Sequence, residues 1–189
     1  MTRLAFNNSR KGQLLKLAAI TMSICLFTFS CKKDNDDDDD YFMSNQAFVT
    51  SASSSNNFEV AAGALAQTKG QDEDVKHYGE HMVTDHTAAA AQMKALADQK
   101  NWTVLPPTEL MVNHRQNLEI LTAASGTDFD KKFAQIMVQS HQEAVNLFEV
   151  GAANRGVPDG DLRAMAASKL PTLKAHLQDA VNLKSKVNP

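Results

Sequence analysis

Apolar residues recur at separations of three and four through most of the chain beyond residue 44, the spacing of one buried helical face. A first helix is expected from about Ser44 to Lys69, on Phe48, Val49, Phe58, Val60 and Leu65, with Gly70 ending it. Its Ser51 to Asn57 stretch has weak helix propensity and predicts fraying or a break. A second helix is expected from about Asp72 to Lys100, with Val75, Gly79, Met82, Val83, His86, Ala90, Met93 and Ala97 as its stripe. Asp72, Glu73 and Asp74 suit the positive end of its dipole. After Pro106-Pro107, Thr108 can cap a third helix ending near Ala124, with Leu110, Val112, Leu118 and Leu121 as its apolar residues. Thr127 with Asp130 reads as a capping box for a helix reaching about Arg155, with Phe129, Phe133, Met137, His141, Ala144 and Phe148 on one face. A last stretch begins near Asp159, where Pro171 predicts a kink or restart, and Leu173, His176, Leu177 and Ala180 share a face. The pattern predicts an all-α fold, an up-and-down four-helix bundle with a kinked or split last helix.

The beginning of the chain follows another logic. Arg3, Arg10, Lys11 and Lys16 precede an uncharged run from Leu17 to Ser30 rich in large apolar residues. Basic then apolar is the order of a secretory signal, and the run falls short of the ~20 residues that span a bilayer. Thr28-Phe29-Ser30-Cys31 resembles a lipobox, so Cys31 is the expected lipidation site, although Phe29 is bulky for its position. Asp36 to Asp40 then form a self-repelling, solvated spacer. The expected organisation is a signal segment over 1–30, a lipidated acidic tether over 31–43 and a helical domain over 44–189. The cysteine, lysine and acidic order also resembles the export signal of surface lipoproteins in Bacteroidota. The expected address is therefore the cell envelope, anchored by lipid to the outer membrane and facing either the periplasm or the outside.

Charge narrows the partners. Without the basic residues of the signal the mature chain carries a net charge of about −7, which disfavours nucleic acid and anionic lipid. The membrane is reached through the lipid on Cys31, and a protein partner is left open. No cysteine follows Cys31, so the helical domain has neither a disulfide nor a thiolate metal site.

Candidate chemistry rests on polar groups inside apolar stripes. His86, His141 and His176 each lie on the inward face of a different helix, and Glu59 aligns with Phe48, Ala52, Ser55 and Ala62 on the first. Buried polar groups need partners, and three imidazoles with one carboxylate can hold zinc, copper or iron. Asp85 and Glu143 are candidates for orienting those ligands or adding to them. A hydrogen-bonded polar layer without metal satisfies the same pattern. His77, His81 and His114 are expected at the surface. The residues three before His86, His141 and His176 are Val83, Val138 and Leu173, so the Glu-x-x-His pattern of di-iron carboxylate bundles is missing. Phosphate loops, nucleophile elbows and H-E-x-x-H helices are missing as well. The methionines sit mostly in helical stripes, where they fill core. Catalysis is thus not the expected activity.

Met82-Val83-x-x-His86 is echoed by Met137-Val138-x-x-His141, an offset of 55 residues, as duplication of a two-helix unit would give in a ferritin-like bundle. Together with Phe48-Val49, Glu59-Val60, Asp85, Phe129-Asp130 and Leu170-Pro171-x-Leu173-x-x-His176-Leu177, these segments resemble the domain of unknown function 4142 family from about Asn45 to Leu183. The resemblance implies a ferritin-like four-helix fold in the periplasm or outer membrane and carries no established activity. The family's second repeat reads Asp-His, whereas Ser140 precedes His141 here. Two functional readings remain: an envelope lipoprotein that binds a partner or supports stress tolerance, and a metal-binding bundle for storage or redox chemistry.

Overall fold

The computed structural model describes residues 41–188; the signal segment, Cys31 and most of the acidic tether lie outside them. The described residues form five helices and no strand: α1 Asn45–Lys69, α2 Glu73–Lys100, α3 Val112–Ala123, α4 Gly126–Ala152 and α5 Gly160–Val187. None is long and apolar enough to cross a membrane.

Side-chain caps fix three of the five helix starts. Ser44 Oγ accepts from the Ala47 amide, Asp72 from the Asp74 amide and Asp159 from the Leu162 amide, each satisfying a donor that the first turn of a helix cannot. α2 ends at Asn101 with φ 57°, a left-handed position that asparagine tolerates. Asp130 does not close the expected capping box with Thr127. Its carboxylate instead accepts from the Gln71 and Asp72 amides, holding the α1–α2 turn against α4.

Three further expectations are corrected. α3 begins at Val112 rather than after Thr108, because Pro107 and Thr108 lie in a turn closed by Glu109 N to Pro106 O and the segment is tied to α1: Asn57 Nδ2 donates to the carbonyls of Pro106 and Glu109, and the Met111 amide donates to Ser54 Oγ. α4 stops at Ala152 rather than Arg155, as residues 153–156 turn through Gly156 N to Ala153 O. α5 runs unsplit through Pro171, so the helix does not restart there. The proline removes one hydrogen bond to the Ala167 carbonyl, but flanking turns packed on α4 retain the helix.

α1 is also unbroken across Ser51–Asn57, whose Ser53, Ser54, Ser55 and Asn56 are buried. Weak intrinsic propensity is overridden there by tertiary partners. Ser54 Oγ bonds His114 Nδ1 at 2.6 Å and Asn56 Oδ1 bonds His86 Nδ1 at 2.9 Å.

Two apolar clusters fill the interior. One gathers Phe58, Val75, Met82, Phe129, Phe133, Met137 and Leu183; the other gathers Phe48, Val49, Met93, Phe148, Leu162 and Leu173. α1 and α5 run from the second cluster to the first, whereas α2 and α4 run from the first to the second. The helices therefore do not alternate simply, as an up-and-down bundle would. The cause is the connector between α2 and α4, which returns along the length of the molecule. Its Trp102 and Val104 pack on the second cluster, and its Leu118 and Leu121 on the first. The Met-Val-x-x-His echo falls on α2 and α4, so it does not mark a copied hairpin in the packed pairs α1 with α2 and α4 with α5.

α1 and α2 approach closely at Gly63 and Gly79. A Cβ on Gly79 would stand 2.7 Å from the Gly63 carbonyl oxygen and 2.7 Å from Ala66 Cβ. Gly79→Ala is expected to destabilise the fold by about 1–3 kcal/mol, the usual cost of overpacking, as a lower urea midpoint at unchanged slope. An unchanged midpoint would show that these backbones do not touch.

Candidate metal centre

The boundary between the two apolar clusters is a polar layer, and four helices contribute to it at the same height. α1 supplies Asn56 and Glu59, α2 supplies His86, α4 supplies Ser140 and His141, and α5 supplies His176; all six are buried. The inward stripes carry these residues between apolar turns, so closing the helices on Phe58, Met82 and Met137 on one side and on Phe48, Met93 and Phe148 on the other brings them together.

The three imidazoles form a triangle, with ring centroids 5.7 Å apart for His86 and His141, 5.5 Å for His86 and His176, and 5.5 Å for His141 and His176. One nitrogen of each lies within 4.8 Å of those of the other two. Nitrogens on one ion at about 2.0–2.1 Å stand roughly 3.4 Å apart in a tetrahedral site. A shift on the order of 1 Å would therefore bring all three onto one centre.

Each ring is oriented through its other nitrogen. His86 Nδ1 donates to Asn56 Oδ1 at 2.9 Å, His141 Nδ1 to the Met137 carbonyl at 2.9 Å, and His176 Nε2 to Asp85 Oδ2 at 2.9 Å. Tyr78 stands over the layer from α2. Its hydroxyl donates to the His176 carbonyl at 3.1 Å, with its oxygen 3.5 Å from His141 Nδ1. His86 Nε2, His141 Nε2 and His176 Nδ1 are then left buried without a hydrogen-bond partner among the described residues, as is Glu59 Oε2. Such outward hydrogen bonds fix the tautomer that directs a lone pair inward, the arrangement in which histidine ligates metal.

Burial also sets the charges. The His141 imidazole is pushed down to about 4 by desolvation, partly opposed by its bond to the Met137 carbonyl. Desolvation, then His141 and His176, hold His86 well below the ordinary imidazole range. Desolvation and His141 lower His176 against the opposing pull of Asp85. Glu59 is fully buried and pushed up to about 8 by desolvation, against the lowering effects of the Ser140 hydrogen bond and His176. At neutral pH the site thus holds neutral imidazoles and a protonated carboxyl. The 3.9 Å approach of His141 Nδ1 to Glu59 Oε1 is consequently not an ion pair. Burial likewise raises the Tyr78 phenol, reinforced by Glu59 and Asp179.

The expected residues divide. His86, His141 and His176 converge, Glu59 adjoins them, and Asp85 holds His176 from the rim. Glu143 does not take part: it is exposed and accepts from Gln139 Nε2, because its place two residues beyond His141 turns it off the inward face. His114 is buried rather than exposed, bonded to Ser54 and stacked on Phe58 at 5.4 Å, and it pins α3 to α1. His77 and His81 are exposed, as expected. The sequence reading missed Asn56 and Tyr78 and noted Ser140 only as a departure from the family's Asp-His; the available signal was Asn56 one turn before Glu59 within an otherwise buried polar run. Ser140 donates to Glu59 Oε1, where an aspartate would set a second carboxyl against the first.

A small cavity of about 40 Å³ opens beside His86 and His176, bordered by Asn56, Asp85, Met93 and Phe148. That is room for a water molecule or an ion.

The family model for a domain of unknown function, DUF4142, matches residues 33–183. No curated protein matches the chain. Among solved structures, CopM in its Cu(II)-bound form is similar in fold, with a TM-score of 0.61 at 16% identity over 76% of this chain and 97% of that one.

Proposed function

We propose, from the premise that the chain belongs to the domain of unknown function 4142 family, that it is an envelope lipoprotein whose helical core binds a transition-metal ion through His86, His141 and His176. The observation that carries this reading is the triad itself: three neutral, buried imidazoles, each anchored through one nitrogen and unpartnered at the other. A polar layer serving helix register alone would have its hydrogen bonds satisfied within the layer, whereas here one donor site per ring is held ready.

Imidazole donors without thiolate suit copper and zinc, and copper(II) binds most strongly in the divalent series. Copper in a structural neighbour supports that order. Glu59, buried beside the triad with Oε2 unpartnered, offers a further carboxylate oxygen and would compensate charge on losing its proton. Bound there, copper would supply redox capacity and zinc a Lewis acid, and the reading taken is storage or buffering of the ion. The four long helices around the layer, with one long return connection, fit a ferritin-like four-helix bundle.

The address is proposed from the sequence order alone: lipid on Cys31, an acidic tether, and outer-membrane anchorage facing the periplasm or the outside. Cys31→Ser is expected to abolish fatty-acid labelling of the chain and release it from the membrane fraction. A labelled, membrane-bound variant would remove that part. A partner-binding module without metal is the second reading, favoured by Val112 and Ile120 exposed on α3.

The test is metal content. The full chain, loaded with copper(II) or zinc and freed of excess, is expected to retain about one tightly held equivalent that His86→Ala/His141→Ala lacks. Negligible retention by both proteins would leave the metal-free reading, and an equal retained equivalent in both would place the ion outside the triad.

A further inference from the structure

His77 and His81 lie one helical turn apart on α2, outside the triad. Their ring centroids are 4.4 Å apart with the rings at 76°, so the two imidazoles already share one patch of surface. Histidines at positions i and i+4 present both rings to a single ion, the geometry used by zinc-binding helices. The surroundings favour a cation. Glu80 Oε2 is 3.9 Å from His77 Nδ1, and Asp179 reaches from α5 into the groove of about 400 Å³ that His77 and His81 line. The nearby cation, Lys186, is already engaged by Asp72 and Asp74.

We propose that His77 and His81 form a second transition-ion site, an open surface chelate for copper(II) or zinc completed by water and by the Asp179 or Glu80 carboxylate. It differs from the triad in kind. Its ligands are exposed side chains that lose rotamer freedom on binding, so it holds an ion more weakly and exchanges it faster. Its open positions accept a small ligand or a donor from another molecule, which the enclosed triad does not. His86 sits five residues beyond His81, on the opposite, inward face of α2, so the two sites bind independently.

Titration of the full chain with copper(II) against a competing chelator separates the sites. The wild type is expected to take up about one tight and one weaker equivalent. His77→Ala/His81→Ala should lose the weaker one alone, with unchanged helix content, since both residues are exposed. His86→Ala/His141→Ala should lose the tight one alone. Binding by thiols or the chain start is common to all three proteins and cancels. An unaltered weaker equivalent in His77→Ala/His81→Ala overturns this site whatever the triad does. Loss of that equivalent beside an undiminished tight one in His86→Ala/His141→Ala would instead overturn the triad and leave this site standing.

Discussion

Replacing His141 by leucine is expected to weaken tight copper(II) or zinc binding at the triad by about 100-fold or more while leaving the metal-free protein at least as stable as the wild type. Loss of a partner that merely orients a ligand already costs about 10–100-fold in affinity, and His141 would be a ligand itself. The stability side follows from its surroundings. His141 Nε2 is buried without a partner, a state that costs about 1–3 kcal/mol. Its Nδ1 bonds the Met137 carbonyl one turn earlier in the same helix, so no other buried group loses its sole partner when the ring goes. Leucine has nearly the same volume and restores apolar contact between the two clusters. A rise of a few degrees in the metal-free melting temperature, with loss of the metal-induced rise, is the expected pair of readouts. A fall of several kcal/mol in the metal-free variant would mean that the imidazole is a structural keystone, and the site would read as a register layer.

The second large effect concerns Glu59. In the metal-free protein, Glu59→Gln is expected to be more stable than the wild type above about pH 5, by a margin that widens up to about pH 8 and then levels. The sign follows from linkage. Below the ordinary glutamate value of 4.5 the carboxyl is protonated in both the folded and unfolded chains, so it adds no pH dependence. Between there and about 8 the unfolded chain releases the proton and the folded one keeps it, so wild-type stability falls with each pH unit by about 1.36 kcal/mol. The full margin is on the order of 3–5 kcal/mol. Glutamine retains the acceptor for Ser140 Oγ without a charge to bury. The histidines, held low, oppose this at acid pH by favouring the protonated unfolded chain, but they are common to both proteins and drop out of the difference. Parallel stability profiles for the two proteins between pH 5 and 8 would show that Glu59 is ionised in the fold.

Both predictions turn on residues whose place was only half visible in the chain. Helix identity was legible because it is local. The three-and-four spacing around Met82, His86 and Met93, and around Phe133, Met137 and His141, marks the buried faces of α2 and α4 almost to their ends, and Ser44, Asp72 and Asp159 lie where caps belong. That His86, His141 and His176 share apolar stripes was equally local, so their burial followed. Propensity misled only where another segment supplied the decisive contact: Ser51–Asn57 stays helical because α2 and the α3 connector bind its polar side chains, and Asp130 serves a turn far from it in sequence.

The order of residues alone determined that the described chain is all helix and that three imidazoles and Glu59 face inward, since periodicity is a property of neighbours three or four apart. Only the tertiary structure decided that these groups meet at one height. That depends on the relative registers of four helices and on the sense of α4, set by how the long connector packs back along the core. Register also gave Asn56 to His86, Asp85 to His176 and Ser140 to Glu59. Their partners lie from 30 to 91 residues away, distances over which a one-dimensional pattern carries no phase.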